Sequence, residues 1–381
     1  MRFDIKKTRL ALMADIQTGP FGSQLHKEDY VTNGTPIVTV EHLGKRRFAM
    51  QNLPYVSDED CIRLDKYRML EGDVVFSRVG SVDRCSYAFA ENNGWLFSGR
   101  CLRVRACREI DPLYLYYYLN SEAIKRFVRN IAVGATMPSI NTKLMGEIPL
   151  LYPSIKEQRN MVRILSVIDD KIERNIAINK NLEEQVSAIY QAWFEDFSCS
   201  DGIRPYEWTM FSLADIADVT SGKRPPVKST YQTKETPIPI LGASSIMGFT
   251  SAENYSDHIL VIGRVGTHGI VQRFNGSCWA SDNTLVIRSK FYEYVNQILQ
   301  RVDYHAMNRG STQPLITQSD IKNIAVLLPD HTTLSKFEKI AASLMAVYES
   351  NLLESTKLIA LRDTLLPRLM SGELDVSSIE L

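Results

Sequence analysis

Basic side chains recur in short segments at comparable places in two parts of the chain. Arg and Lys in loops suit contacts with phosphate, and an Arg guanidinium can donate two hydrogen bonds to a guanine edge. A solvated charge or a structural salt bridge is the alternative role for each of them. The candidate nucleic-acid contacts are Arg46, Arg47, Arg78, Arg84, Lys223, Arg224, Lys228, Arg264, Arg273 and Arg309.

Spacings typical of catalysis are missing from the sequence. It contains no G-x-G-x-x-G after a strand, no G-x-x-x-x-G-K-[ST], no H-E-x-x-H and no G-x-S-x-G. Asn52-Leu53-Pro54-Tyr55 resembles the N-P-P-[YF] loop of amino-methyltransferases, but Leu53 replaces the first proline. The six histidines are scattered, so neither a metal site nor a cofactor site is expected. The pattern favours a protein that recognises a partner over an enzyme, although an enzyme with an unfamiliar site is an alternative.

Composition narrows the class of protein further. The 381 residues include 44 basic and 44 acidic side chains, so a globally basic nucleic-acid binder is excluded. Residues 1–152 hold 21 basic and 17 acidic residues, whereas residues 153–200 hold 6 and 8, which places acid on the segment that follows. Six cysteines without a C-x-x-C pair, no apolar run of 18 residues and no signal-peptide core predict a reduced, cytoplasmic protein without a membrane span.

The chain contains an internal duplication. Gly134-Ala-Thr-Met-Pro-Ser-Ile-Asn141 aligns with Gly310-Ser-Thr-Gln-Pro-Leu-Ile-Thr317 at an offset of 176 residues. Upstream, SRVGS (77–81) aligns with GRVGT (263–267) at an offset of 186, and Ala14-Asp15-Ile16 aligns with Ala214-Asp215-Ile216 at 200. The falling offset means that the first copy carries extra residues in its globular part. The two copies therefore share a frame and differ in their loops.

Each copy ends in a heptad-like apolar pattern, which predicts a long helix from about 156 to 197 and a second helix in 331–381 that Pro367 interrupts near its end. We expect the helices to pair as an antiparallel coiled coil, in which asparagines such as Asn175 and Asn351 fix the register. The predicted seam and partner-docking residues are Leu165, Ile168, Ile172, Leu182, Ile189, Trp193, Ile340, Leu344, Val347, Leu358, Leu361 and Leu365.

The globular parts are predicted to be mixed α/β with many short strands. Strands are expected in 35–43, 73–80, 100–107 and 236–243, where β-branched runs are bounded by Gly, Pro or Asp. Residues 111–131 have helical spacing, and their tyrosines are expected to form a packed helix face rather than a platform for stacking bases. The fold class is therefore α/β of the mixed α+β kind, with two globular domains, two long helices and a pseudo-twofold repeat.

The architecture resembles the specificity subunit of type I restriction–modification systems. The resemblance spans almost the whole chain and rests on FGSQL (21–25), the paired SRVGS and GRVGT, NLEEQVSAIYQAWFEDF (181–197), TSGKRPP (220–226) and LRDTLLPRLMSGELDV (361–376). It implies a first target-recognition domain in 1–152, a central helical spacer in 153–200, a second target-recognition domain in 201–330 and a C-terminal helical region in 331–381.

The resemblance also implies a function and partners. Such a subunit binds an asymmetric, bipartite site in double-stranded DNA and has no catalysis of its own. It acts with two modification (methyltransferase) subunits, which methylate adenine N6, and with restriction (nuclease–translocase) subunits. S-adenosylmethionine, ATP and Mg are then used by the partners, and no cofactor or metal is bound by this chain. Two alternatives remain: the specificity subunit of a type IIB-like system, and a scaffold that binds proteins rather than DNA.

Overall fold

The computed structural model describes residues 4–20, 24–265, 269–304, 306–307 and 315–376. The chain forms two compact units, each assembled from separated parts of the sequence. Unit 1 comprises Met1–Arg174 with Glu354–Leu381, and unit 2 comprises Asn175–Leu353. The unit boundaries fall inside both long helices. The predicted four-segment division therefore follows chain order, whereas the two units follow packing.

Unit 1 contains two four-stranded sheets and one two-stranded sheet, with strand orders β2-β9-β6-β7, β3-β5-β4-β8 and β1-β10. Only the β4–β8 pair is parallel. Its strands are β1 (Lys6–Arg9), β2 (Ala14–Thr18), β3 (Tyr30–Val31), β4 (Thr35–Val38), β5 (Tyr55–Val56), β6 (Val74–Ser77), β7 (Cys85–Tyr87), β8 (Leu96–Phe97), β9 (Cys101–Ala106) and β10 (Pro149–Tyr152).

The short helices of unit 1 are α1 (Asp58–Arg63), α2 (Pro112–Leu119), α3 (Glu122–Ile131) and α4 (Thr142–Gly146). The helical pattern predicted over 111–131 is thus divided between α2 and α3. Asp111 caps α2 by accepting hydrogen bonds from the backbone N–H groups of Leu113 and Tyr114, both at 3.0 Å. The tyrosines of α2 are buried, as expected for a packed helix face.

Unit 2 repeats this arrangement with sheets β12-β18-β15-β16, β14-β13-β17 and β11-β19. Its only parallel pair, β13–β17, corresponds to β4–β8. The strands are β11 (Thr209–Ser212), β12 (Asp218–Ser221), β13 (Ile238–Leu241), β14 (Ile246–Thr250), β15 (His258–Gly263), β16 (Val271–Asn275), β17 (Trp279–Ala280), β18 (Thr284–Arg288) and β19 (Ala325–Leu328). Its short helices are α6 (Tyr292–Gln300) and α7 (Gln318–Lys322).

The long helices are α5 (Ile155–Tyr190) and α8 (His331–Met370), and α5 continues into a π-helical turn over Gln191–Glu195. Within unit 1 they run antiparallel, with Arg362 donating to Asp169 at 2.9 Å and Lys171 lying 3.0 Å from Glu354. Pro367 lies inside α8 and does not end it, which corrects the expected interruption. A proline close to the last turn costs little, because few residues follow whose hydrogen bonds it could disturb.

Within unit 2 the two helices are also antiparallel, and asparagines hydrogen-bond across their contact. The Asn351 side-chain amide donates to the Asn179 side-chain oxygen at 2.9 Å, and Asn179 donates to the backbone oxygen of Tyr348 at 3.1 Å. Asn175 donates to the backbone oxygen of Asn351 at 3.4 Å. Buried amides that are paired in this way favour one register over its neighbours, as the sequence predicts for Asn175 and Asn351.

The apolar seam of α8 lies about one residue away from its predicted position. Ile340, Val347 and Leu361 are 38%, 49% and 47% exposed, whereas Ala341 and Met345 are buried. A one-residue shift rotates a side chain by about 100° around a helix of 3.6 residues per turn. The offset of 176 finds the correct positions, since Ala341 then aligns with Leu165 and Met345 with Asp169, both of which are buried.

Glu338 of α8 accepts hydrogen bonds from two backbone N–H groups at the start of α6. Its carboxylate lies 2.7 Å from the Tyr294 nitrogen and 3.2 Å from the Glu293 nitrogen, and no side chain of α6 caps this end. Burial raises the pKa of Glu338 to about 7, and the neighbouring Glu293 adds to the rise. The folded state therefore binds this proton more tightly than the unfolded chain, whose Glu pKa is about 4.3.

We expect unit 2 to lose stability as the pH rises from about 4.5 to 7, since a carboxyl with a raised folded pKa contributes most below its unfolded pKa. Glu338→Gln keeps a hydrogen-bond acceptor without the charge. It should stabilise the protein by roughly 1–3 kcal/mol at pH 8 and by little at pH 5. Urea unfolding followed by tryptophan fluorescence measures this, because Trp193, Trp208 and Trp279 all lie in unit 2. Glu184→Gln, on the exposed side of α5, is the control; equal effects of the two variants at pH 8 would contradict the prediction.

Candidate nucleic-acid interface

The predicted basic residues divide into buried ion pairs and exposed side chains. Arg46 is only 6% exposed. Its guanidinium donates to Glu173 of α5 at 2.7 and 2.9 Å and also pairs with Asp170. Burial alone would lower the pKa of Arg46, but the hydrogen bonds to Glu173 and Asp170 outweigh burial and raise it. Arg46 thus joins its loop to α5, and a phosphate could reach it only by displacing these carboxylates.

Arg47 shares the same carboxylate while remaining half-exposed. Its Nε donates to Glu173 at 2.8 Å, and its guanidinium lies 3.9 Å from the centre of the Phe89 ring. The pKa of Glu173 is lowered: burial acts to raise it, and the hydrogen bonds from Arg46 and Arg47 outweigh that effect. A cation stacked on an aromatic ring and bound to a carboxylate is held in place by two contacts, so Arg47 also has a structural role.

Arg273 occupies the comparable place in unit 2. Its guanidinium pairs with the buried Glu293 at 2.5 and 2.7 Å and approaches Glu349 of α8 at 3.8 Å. Asn275 and His258 also approach Glu349, at 3.3 and 3.9 Å. Glu349 lies 176 residues after Glu173, so both units attach a globular domain to the same register of the helical repeat. Sequence analysis missed this role of the glutamates, although the repeat offset was available to find it.

Other basic side chains of unit 1 are exposed beside the Arg46 loop. Gly44 donates its N–H to the Ser86 hydroxyl at 3.2 Å, and that hydroxyl donates to the Lys45 carbonyl at 2.6 Å. These bonds hold the loop against β7, while the Lys45 and Arg84 side chains face solvent. Gly44 has φ of +116°, and a Cβ there would lie 3.4 Å from Arg84 Cδ. The exposed pair Lys45 and Arg84 is therefore available to a partner.

The two repeated motifs are hydrogen-bonded to each other in both units. The Ile140 N–H donates to the Arg78 carbonyl at 2.9 Å, and the Ile316 N–H donates to the Arg264 carbonyl at 3.0 Å. Bridges between Val79 and Ser139, and between Val265 and Leu315, extend the contact. The repetition of R-V-G thus follows from backbone pairing. Arg78 and Arg264 are half-buried, and the Arg78 guanidinium donates to the Gly99 carbonyl at 3.3 Å. Arg309 lies outside the described residues.

In unit 2 the exposed basic residues lie on the segment between β12 and β13, here called the β12–β13 loop (222–237). Lys223, Arg224 and Lys228 are all exposed there. The preceding Gly222 packs so closely on the chain after β17 that a Cβ would lie 2.1 Å from the Ser281 carbonyl oxygen. Gly19 of unit 1 meets the Ser98 carbonyl oxygen at 2.2 Å in the same way. Close backbone approach therefore explains a glycine at this place in both units.

The predicted seam residues of α5 are mostly inside the units. Leu165, Ile168, Ile172 and Leu182 are at most 8% exposed, and Ile189 and Trp193 pack against the core of unit 2. On α8, Leu344 packs against the core of unit 2 and Leu365 against that of unit 1, while Leu358 is half-buried. An open apolar groove of unit 1 lies between the ends of α5 and α8, where Val167 is 65% exposed. Exposed apolar side chains on these helices remain available for docking.

The model of the family "Type I restriction modification DNA specificity domain" matches residues 4–184 and 205–362. The chain belongs to this family. The two matches coincide with the two repeats of the sequence, and membership confirms a specificity subunit rather than a catalytic one. None of the helices in the described part of the chain is long and apolar enough to cross a membrane.

Similar proteins agree with this family. The chain is 24% identical over 304 residues to the type I restriction enzyme MjaIX specificity subunit of Methanocaldococcus jannaschii, covering 70% of each chain. It is 21% identical to the HindI specificity subunit of Haemophilus influenzae, covering 81% of this chain and 88% of that one. Among solved structures, the S subunit of a type I restriction–modification system from M. genitalium matches with a TM-score of 0.64, 19% identity and 96% coverage of both chains. That likeness confirms the fold predicted for a member of this family.

The burial of Arg46 and the exposure of Arg84 predict opposite effects on stability. Arg46→Ala leaves Glu173 and Asp170 without their buried partner and should lower the free energy of unfolding by roughly 2–3 kcal/mol. Arg84→Ala removes an exposed side chain and should leave the unfolding midpoint unchanged. Chemical unfolding of the two variants beside the unaltered protein measures both effects. Equal midpoints for all three proteins would show that the Arg46 ion pairs do not stabilise unit 1.

Proposed function

We propose that the chain is the DNA-recognition subunit of a type I restriction–modification complex and that it binds an asymmetric site made of two half-sites. The observation that carries the proposal is the match of the DNA specificity family to two units of one fold whose exposed basic segments differ. In unit 1 these are Lys45 and Arg84, and in unit 2 they are Lys223, Arg224 and Lys228. Units of one fold with unlike exposed loops suit half-sites of unlike sequence.

Two kinds of contact divide the work in this proposal. The exposed basic side chains contact phosphates, which positions each unit on the duplex, and other side chains contact base edges, which determines the sequence. The buried Arg46 and Arg273 are left out of the phosphate-contacting set because carboxylates already occupy their guanidinium groups. Methyltransferase subunits that use S-adenosylmethionine dock on exposed parts of α5 and α8, and restriction subunits that use ATP and Mg join them. The chain itself binds no cofactor.

Disruption of the gene should remove N6-methyladenine from one asymmetric, gapped motif of the host genome. Single-molecule sequencing of the host with and without the gene measures this directly. Complementation with Arg84→Ala and Lys228→Ala variants, followed by binding assays on the purified complexes, should show weaker DNA binding at every sequence and a salt slope lower by about one for each. DNA binding independent of salt, or an unchanged methylome in a host whose methyltransferase is expressed, would favour the protein-binding scaffold.

Insertion of seven residues in both long helices should lengthen the gap between the half-sites. The insertions are placed after Arg174 in α5 and after Leu353 in α8, where the unit boundary crosses each helix. Seven residues preserve the phase of the apolar seam and add about 10 Å of helix, the length of about three base pairs. The methylated motif of the variant should keep both half-sites. Altered half-sites would refute the proposal, and insertion in α5 alone is the control, expected to abolish methylation by mispairing Asn175 and Asn351.

A further inference from the structure

The β12–β13 loop of unit 2 has a backbone that is held at both ends and in its middle. At its start, the Lys223 N–H donates to the Ala280 carbonyl at 2.9 Å, and the Trp279 indole N–H donates to the Lys223 carbonyl at 2.7 Å. In the middle, Ser229 and Phe249 exchange two backbone hydrogen bonds of 2.8 Å. These contacts extend the three-stranded sheet along the outer side of β14.

The second half of the loop is fixed by its own side chains. The Ser229 hydroxyl donates to the Tyr231 carbonyl at 2.6 Å and lies 3.2 Å from the Tyr231 nitrogen. The Thr233 and Thr236 hydroxyls lie 2.9 Å apart, and the Gln232 amide donates to the Pro237 carbonyl at 3.0 Å. A loop ordered in this way loses little conformational entropy when it binds a partner.

Tyr231 stands at the centre of this ordered loop and is 78% exposed. Lys228 and Lys234, three residues before and after it, are exposed as well. The loop carries four basic residues, Lys223, Arg224, Lys228 and Lys234, against one acidic residue, Glu235. A tyrosine has a flat apolar ring and a hydroxyl that both donates and accepts. A rigid aromatic side chain between two cations suits a polyanion that carries flat rings with polar edges.

The matching segment of unit 1 has the same length and the opposite charge. It runs from 19 to 34 between β2 and β4, as the β12–β13 loop runs from 222 to 237. It holds one basic residue, Lys27, against the acidic Glu28 and Asp29. Its Gln24 side chain accepts from the Tyr67 hydroxyl at 2.6 Å, and its Tyr30 is half-buried in β3. The two units therefore present unlike chemistry at an equivalent place.

Tyr206 shows that exposure alone does not distinguish Tyr231. It is 88% exposed, on the segment before β11. Its surroundings in the sequence are mixed in charge, with Glu207 beside it and Asp201 and Arg204 nearby. Tyr206 is thus a matched control for the removal of an exposed tyrosine.

We propose that Tyr231 contacts a base in the half-site bound by unit 2 and is a specificity-determining residue of this chain. Lys228 and Lys234 contact phosphates on either side of it. The inference rests on the proposed function, since it requires that unit 2 binds a half-site. Phosphate contacts by the lysines set the register of the loop on the duplex, and the tyrosine hydroxyl or ring edge then meets the edge of one base pair.

The test uses the complete complex with its methyltransferase subunits and duplexes that carry the methylated motif or single-base changes in each half-site. Tyr231→Ala should reduce discrimination by about 5- to 150-fold at one base pair of one half-site, the range for loss of a direct base contact. Discrimination in the other half-site and binding to unrelated DNA should stay unchanged. Lys228→Ala should instead weaken binding to all duplexes alike.

The outcomes separate the two proposals. If the unaltered complex prefers its motif but Tyr231→Ala discriminates as well as it does in both half-sites, Tyr231 does not contact a base and the inference fails alone. If the unaltered complex shows no sequence preference, the proposed function fails first. Tyr231→Phe locates the contact: a loss equal to that of Tyr231→Ala assigns it to the hydroxyl, and no loss assigns it to the ring. Tyr206→Ala, which should behave like the unaltered protein, would overturn the inference by producing the same loss as Tyr231→Ala.

Discussion

The structure depends on the burial of one apolar side along each of the two long helices. In unit 1 the core is completed by Met161 and Leu165 of α5 with Leu366 and Leu369 of α8. In unit 2 it is completed by the far end of α5 and the near end of α8. Neither core closes with one helix alone, because each helix supplies one side of the packing. The domain repeat and the helix repeat are therefore one device, and the antiparallel pairing is what permits it.

Charge then attaches the variable parts of each unit to this common frame. Glu173 and Glu349 occupy the same position of the helical repeat, yet they bind side chains from different elements: Arg46 and Arg47 from a loop, and Arg273 with His258 from β15 and β16. Partly buried ion pairs tolerate such changes, because a carboxylate accepts a guanidinium from any direction that satisfies its oxygens. The frame can thus hold domains whose loops differ, which is what two unlike half-sites require.

Features shared by the units serve packing, and features that differ lie on the surface. The close approach of Gly19 and Gly222 to a carbonyl and the backbone pairing of the repeated motifs occur in both units. The extra residues of unit 1 between β4 and β6 and the basic β12–β13 loop of unit 2 have no such counterpart. This separation is the physical basis on which the repeated R-V-G motif is assigned to the fold, whereas Tyr231 is assigned to recognition.

The sequence alone determined the repeat, the two long helices, the mixed α/β class and the family, since these follow from periodicity and from motifs that are local in the chain. It also predicted the asparagines that pair across the helices. Only the tertiary structure decided which side of α8 is buried, that Arg46 and Arg273 are held by carboxylates, and that Tyr231 is exposed on an ordered loop. The reason is that burial and ion pairing depend on partners distant in the chain: Glu173 lies 127 residues from Arg46, and no local pattern records that contact.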